Sequence, residues 1–476
     1  MPGATANWAE TTLHWANMTM THSTIKDELD AYLEQNPETQ FIEPLAPDIN
    51  GILRGKRVGV EDFYKPFKNG LNFCGAASLM DSHGDTLETI PYGERDGDPD
   101  VKAFAVPGTL APVPWAEAPT AQVLLEMNRL DGTPYPWDPR NVLRNAMKPL
   151  YELGLNPVLA TELEFYLVEH DGQNFIPRVP RIPGSELPQG GAQFAMVEDL
   201  YEFDGFINEL LSFCTQQNIP AGAALSEYSP GQFEVNLHHI DDPLLACDHA
   251  LMLKRAVKAA ARKHDMAATF MAKPFAETSG SGMHVHVSLL DDDGNNVFSG
   301  HSKDGDFSDT LRHAIGGLAA IMPESTAIFA PNPNSYRRFS PHSFVPATPS
   351  WGINHRGVAL RLPLASNANT RVEHRVAGAD SNPFLVVAAI LAGIHYGISN
   401  QCEPGTMVEE SEELDHIKTL PLRWPLALDA FDAGTILPQY LGEDYHRLFS
   451  LCRREEEGRF NAVISDKDYE WYLRAV

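Results

Sequence analysis

The stretch ATELEFYLVE, residues 160–169, sets Glu162 and Glu164 two positions apart. On a strand both carboxylates leave the same face, and Leu163 and Phe165 leave the other. Like charges held side by side repel, which constrains any fold that half-buries this strand. The pattern recurs. In SEYSPGQFEVNLHH (226–239), Glu227 and Glu234 flank a Ser-Pro-Gly turn, and Glu234 opens an alternation through Val235 and Leu237. In GSGMHVHVSLLD (280–291), His284 and His286 share a face, behind Gly280 and Gly282, where backbone can approach a ligand closely. In RVEHRVAG (371–378), Glu373 and Arg375 repeat the geometry. Any one such pair reads as the solvated face of an amphipathic strand. Five carboxylates and a histidine on half-buried strands destabilise one another unless positive charge sits among them. Oxygen-rich donors favour a hard divalent cation, magnesium in particular, held together with substrate phosphates. Zinc fits less well, because one histidine joins a majority of carboxylates and no thiolate is near.

A second feature points the same way. The chain has 64 acidic against 36 basic side chains, yet Ser325 to Val372 contains no Asp or Glu and holds Arg337, Arg338, Arg356, Arg361 and Arg371 without a lysine. Soluble surfaces ordinarily mix both signs. Arg338, Arg356 and Arg361 suit bidentate clamping of phosphate and stabilisation of a transferring phosphoryl group. No GxxxxGK[ST] loop is present; GILRGKR has the wrong spacing and reads as an exposed turn, and no Rossmann or kinase glycine loop follows a strand. Side chains and metal must then meet the phosphate charge.

Composition sets the outer bounds. A chain of 476 residues, 43 % apolar and 21 % charged, reads as a soluble globular protein of two or three domains. Its net charge of −28 argues against a nucleic-acid partner. Five scattered cysteines without a CxxC pair indicate neither a disulfide framework nor a thiolate zinc site, and suit a reducing cytoplasm. The start MPGATANWAETTLHW lacks signal-peptide features, and no stretch approaches the roughly 18 apolar residues of a membrane span, so no membrane partner is expected. NPFLVVAAILAGIHYGI (382–398) reads as a buried core helix. STIKDELDAYLEQNP predicts a helix within an N-terminal helical segment, 1–37. A strand and turn pattern follows around Asp48–Gly51, and DGTPYPWDPR (131–140) reads as a polar connector at the main domain boundary.

The blocks ELEFYL, PGQFEVN, GSGMHVHVSL, NSYRRF, NHRGVALRLP and RVEHRVAGADSNPFLVVAAILAG resemble, in order and spacing, the motifs of the glutamine synthetase superfamily, from about residue 40 to the C-terminus. Their wording is most similar to the bacterial γ-glutamylputrescine synthetase branch. The resemblance implies an α+β fold: an N-terminal β-grasp domain (38–133), then a catalytic domain (140–476) built on a curved antiparallel sheet with flanking helices. It also implies a homododecamer of two hexameric rings, with each active site between neighbouring subunits. Position by position, Glu164, Glu227 and Glu234 match the ligands of a first metal, and Glu162, His284 and Glu373 those of a second. Two or three Mg2+ or Mn2+ ions per site are expected. Gly280, Arg338 and Arg375 match the L-glutamate site. His286, Ser288, Arg356 and Arg361 match the ATP site, and Arg371 belongs near the phosphates. The implied reaction phosphorylates the γ-carboxylate of glutamate, and a nitrogen nucleophile then displaces phosphate.

Departures from the family pattern concern the nucleophile. Where ammonia-using members carry a Glu that contacts ammonium, this chain has Phe344, and their second ammonium-binding acid falls on Cys74. Ser279 replaces an Asn before the glutamate-loop glycine. Loss of both acids favours a larger organic amine such as putrescine or another polyamine, with an aromatic contact from Phe344. His342 is a candidate to assist deprotonation. The alternatives are a glutamine synthetase using ammonia, which Phe344 and Cys74 oppose, and a catalytically silent relative, which six intact metal-ligand positions oppose.

Overall fold

The computed structural model describes residues 22–92, 95–190, 194–300, 307–339 and 344–476. A helix runs over His22–Gln35, inside the expected leading helical segment. Next comes a seven-stranded mixed sheet of β1 (Phe41–Pro47), β2 (Leu53–Gly55), β3 (Val58–Gly59), β4 (Leu71–Cys74), β5 (Asp100–Ala105), β6 (Ala111–Pro112) and β7 (Thr120–Asn128). Its path is β2-β1-β7-β5-β4, with β1 and β7 parallel. The turn at Asp48–Gly51 forms around a buried carboxylate: Asp48 Oδ1 accepts from the amides of Asn50 and Ile52 at 2.8 and 2.9 Å. GILRGKR supplies β2, which pairs with β1, so it is part of this sheet and not only a turn.

The connector is exposed over 131–134, as a polar linker would be, but becomes core from Tyr135 onward. Tyr135 is 9 % and Trp137 5 % exposed, and the fully buried Asp138 caps the helix Pro139–Glu152 by accepting from Arg140 N while its other oxygen accepts from Met127 N of β7. One carboxylate thus fixes where the first sheet ends and the next element begins.

The second sheet has nine strands: β8 (Asn156–His170), β9 (Phe175–Pro177), β10 (Ala221–Ser226), β11 (Gln232–Leu237), β12 (Ala267–Thr269), β13 (Met283–Leu290), β14 (Trp351–Ile353), β15 (Leu360–Leu362) and β16 (Val372–His374). Its order is β10-β11-β8-β13-β16-β15-β14, and all pairs are antiparallel except β14 with β15. On β8 the apolar period is clean. Leu159, Leu163, Phe165 and Leu167 are buried on one face, where Phe165 meets Phe206, Phe233 and Phe270. Glu162 and Glu164 leave the other.

Two helices, Asp309–Phe329 and Pro383–Asn400, back the assembly. The second carries a mean hydropathy of 1.5 over 18 residues, long and apolar enough to cross a membrane by length and composition, which corrects the expectation that no stretch approaches a span. It is 72 % buried inside the protein, as a core helix is. The two helices touch through glycines: a Cβ at Gly397 would collide with the His313 carbonyl and lie 2.8 Å from Gly317 Cα. Backbone cannot yield as a side-chain tip can. Gly397→Ala is expected to lower stability by about 1–3 kcal/mol. Gly458→Ala, which meets nothing within 4 Å on another helix, should leave it unchanged or slightly raised. Urea unfolding of the two variants checks the contrast.

Candidate active site

Strand register converts the period-two pairs into one row across the sheet. Glu234 on β11 lies opposite Glu164 on β8, Glu162 opposite His284 on β13, His286 opposite Glu373 on β16, and Glu373 opposite Arg361 on β15. Glu162 Oε2 lies 3.2 Å from His284 Nδ1 and its Oε1 2.9 Å from His286 Nε2. Glu373 pairs with Arg361 Nη1 at 2.6 Å and with Arg375 Nη1. Donor atoms of Glu162, His284 and Glu373 lie within 4.8 Å of one another, as do those of Glu164, Glu234 and His284. The first group coincides with the expected second-metal set. The second shares two members with the expected first-metal set and has His284 where Glu227 was expected.

The two ends of the row differ electrostatically. Burial would raise Glu373, but His284 and Arg375 outweigh it and hold the carboxyl at about 2. Burial is likewise outweighed at Glu162 by the imidazoles of His284 and His286 beside it, leaving it well below the usual carboxylate range. At the other end burial, reinforced by Glu162, Glu164 and Glu227, pushes Glu234 up to about 9. Burial and Glu164 push Glu227 up to about 7, against the pull of Arg356. Neither Glu234 nor Glu227 forms an ion pair among the described residues. Buried oxygen donors without countercharge fit a hard divalent cation.

A cavity of 580 Å³ opens beside the row, lined by Glu162, His286, Ser288, Arg371, His238 and Asn369 together with apolar residues of β8 and β11. Arg371 Nε donates to His286 Nδ1 at 3.2 Å. Glu162, His286 and Arg371 meet at its polar end, and much of the rest of its wall is apolar. Arg356 and Arg361, expected at ATP, do not line this cavity. Arg361 is committed to Glu373 and to Asn354 Oδ1, and Arg356 is an exposed cation whose field reaches Glu227.

Two of the expected glutamate residues, Gly280 and Arg338, meet on the loops behind the row, while Arg375 is paired with Glu373 in the row itself. Arg338 is 2 % exposed, donates to Val376 O at 3.0 Å and has no carboxylate partner among the described residues. Gly280 is obligatory for the fit, because a Cβ there would lie 2.7 Å from Arg338 Cγ and 2.8 Å from Ala272 O. A buried guanidinium so placed suits a carboxylate ligand. Asp380 Oδ2 accepts from Asn332 Nδ2 and Ser335 Oγ at 2.8 and 2.7 Å, fixing the turn that carries Arg338. Phe344 is 61 % exposed and meets Tyr228 edge-on at 5.8 Å, and Tyr228 N donates to Glu227 Oε2 at 3.0 Å. His342 lies outside the described residues. The sequence reading missed Tyr228, Asp380 and His238. Carrying the β11 period past Glu234 and Asn236 would have reached His238.

The chain belongs to the glutamine synthetase family: the family described as "Glutamine synthetase, catalytic domain" matches residues 136–472. Among individual proteins it is similar to the γ-glutamylputrescine synthetase PuuA of Escherichia coli K12, 41 % identical over 454 residues and 95 % of each chain. It is 37 % identical over 361 residues, 75 % of this chain and 78 % of the other, to a glutamate–isopropylamine ligase of a Pseudomonas species. A solved GmaS–ADP complex superposes with a TM-score of 0.80 at 26 % identity, covering 93 % of this chain and 99 % of that one.

A pH dependence follows from the uncompensated end of the row. Glu234 and Glu227 have folded values of about 9 and about 7, above the ordinary 4.5. Stability from their protonated forms is fully present below pH 4.5 and is lost as pH rises through 7 and then 9. Thermal unfolding in EDTA should show that decline. Added Mg2+ should raise the midpoint by an increment that grows with pH; an increment flat from pH 5 to 9 would contradict cation binding at these carboxylates.

Proposed function

We propose that the chain is an ATP-dependent ligase that joins the γ-carboxylate of L-glutamate to an organic amine, putrescine or another polyamine, through a γ-glutamyl phosphate. The observation that carries the choice of nucleophile is Phe344. An exposed ring packed on Tyr228 beside Glu227 stands where an ammonia-using relative carries an acid. Such a surface favours an alkylammonium over a bare ammonium ion. The names of relatives support the reading, since they act on putrescine and isopropylamine.

In this reading Glu164, Glu227 and Glu234 hold one Mg2+ or Mn2+, and Glu162, His284 and Glu373 another, with room for a third. When bound, the ions neutralise phosphate charge and orient the reacting oxygens. Arg338, Arg375 and Gly280 seat glutamate so that a γ-carboxylate oxygen faces the terminal phosphorus of ATP, held with His286, Ser288 and Arg371. That oxygen bonds to phosphorus as ADP leaves. The amine, after losing a proton, attacks the acyl carbon, and phosphate leaves with the bonding pair. Arg338 and Arg356 stabilise the developing charge. Residues 38–133 form a β-grasp domain and 140–476 the catalytic domain, in a cytoplasmic dodecamer of two hexameric rings.

Phosphate release from ATP and glutamate, followed across ammonia, putrescine, spermidine, ethanolamine and monoamines, tests the reading. Turnover is expected to be highest with a polyamine, and equal or greater turnover with ammonia overturns the choice of nucleophile. Phe344→Glu should shift the ratio of kcat/KM from putrescine toward ammonia by about tenfold or more, the effect of one added carboxylate. Glu373→Gln should cut turnover by at least about a hundredfold at unchanged elution volume, and retained activity refutes its role as a ligand.

A further inference from the structure

Gln232 opens β11 directly after the Ser-Pro-Gly turn, 1 % exposed and in register with the fully buried Tyr166 on β8. Neither belongs to the ligand sets above. Their side chains serve the loop 278–282, on which the ligase reading seats glutamate. The Tyr166 hydroxyl donates to Ser279 O at 2.8 Å, and Ser279 N donates to Ser229 Oγ at 2.8 Å. Gln232 Nε2 donates to Gly280 O at 3.0 Å and lies 3.4 Å from Glu164 Oε2, while its Oε1 lies 3.2 Å from the Tyr166 hydroxyl. Two acceptors on one side fix which way the amide faces. An oxygen turned toward Gly280 O and Glu164 would meet only lone pairs.

Glu164 closes the circuit. Its Oε2 also accepts from Gly282 N at 2.8 Å, so one carboxylate oxygen holds the loop directly and, through Gln232, at Gly280. Its Oε1 lies 3.9 Å from His284 Nε2, and donor atoms of Glu164, Glu234 and His284 gather within 4.8 Å of one another. A carboxylate is a rigid plane, so a cation that orients Glu164 also orients the oxygen to which the loop is tied. Gly280 in turn packs on the Arg338 side chain, where a Cβ would lie 2.7 Å from Cγ. Packing that close leaves the carboxylate, the loop and the guanidinium no independent movement. An apolar side chain at 232 would fill the same space and leave the Gly280 carbonyl without this donor.

We propose that Gln232 is a positioning residue that couples cation binding at Glu164 to glutamate binding at the Gly280 loop. The inference rests on the ligase reading for the identity of both ligands. The test is calorimetric titration of the whole protein with L-glutamate, without ATP or amine, in EDTA and in saturating Mg2+. Wild type should bind glutamate about tenfold more tightly with Mg2+, and Mg2+ more tightly by the same factor with glutamate. Gln232→Met, which keeps the length and loses both donors, should cut that factor to about twofold or less and leave affinity in EDTA within about threefold of wild type. Gln232→Asn, its amide one carbon short of both acceptors, is the second variant and should lose the factor likewise. Tyr166→Phe, which frees Ser279 O but keeps the tie to Glu164, should retain it. An unchanged factor in Gln232→Met or Gln232→Asn overturns the proposal, because the cation then acts on glutamate without the loop. So does a factor lost equally in Tyr166→Phe, the mark of general loosening, and a factor of one in wild type overturns it without any variant. A Gln232-dependent factor without turnover of any amine overturns the ligase reading and keeps the coupling. Turnover with a Gln232-independent factor does the reverse.

Discussion

Carboxylates gathered on one face of a buried sheet are the interaction on which the rest of this structure depends. At one end of the row the protein supplies its own countercharge, with Glu373 between Arg361 and Arg375 and Glu162 between His284 and His286. At the other end, Glu227 and Glu234 are left for something from outside. That asymmetry makes a site of what would otherwise be a structural salt-bridge network. The opposite face holds it in place. A one-residue slip of β8 would turn Leu163 and Phe165 into the site and drive Glu162 and Glu164 into the cluster of Phe206, Phe233 and Phe270. Core packing therefore enforces the register that the charges alone would oppose.

The acid-free segment proves to be several devices. Arg338 is buried among the loops behind the row, Arg361 neutralises Glu373, Arg371 borders the 580 Å³ cavity, and Arg337 and Arg356 are exposed. A single phosphate clamp does not describe them. Their common requirement is the absence of neighbouring carboxylates in sequence, so that each guanidinium is free for a partner brought by the fold or by a ligand.

Faces were legible in the sequence and neighbours were not. Period two assigns Glu162, Glu164, His284, His286 and Glu373 to strand faces, because alternation is a property of one strand. Which of them meet depends on pairings between segments far apart in sequence, and no local pattern encodes that Glu162 sits opposite His284. The family motifs supplied the grouping that spacing could not. The connector at 131–140 misled for a related reason. Its prolines and aspartates look like linker chemistry, but Tyr135 and Trp137 are claimed by tertiary packing, with Trp137 stacked 6.5 Å from Tyr445. Composition averages over a segment, whereas burial is decided residue by residue.

The two sheets are joined by a polar link. Asn382 Oδ1 caps the helix Pro383–Asn400 through Phe384 N, while its Nδ2 donates to Asp48 O at 3.0 Å and Ile49 O at 3.3 Å in the first sheet. Arg453 reaches the same Ile49 carbonyl at 3.4 Å. Two residues before Asn382, Asp380 holds the turn bearing Arg338; Asn334 in that turn accepts from Lys273 N and donates to Lys273 O, in the loop leading to Gly280. The loops around 273–280, 332–338 and 376–382 are thus one hydrogen-bonded unit anchored on the Asp48 turn. Because hydrogen bonds fix direction where apolar contacts do not, this unit holds the turn that carries Arg338 in one orientation. The turn after β1 therefore helps fix the loops that carry Arg338 and Gly280.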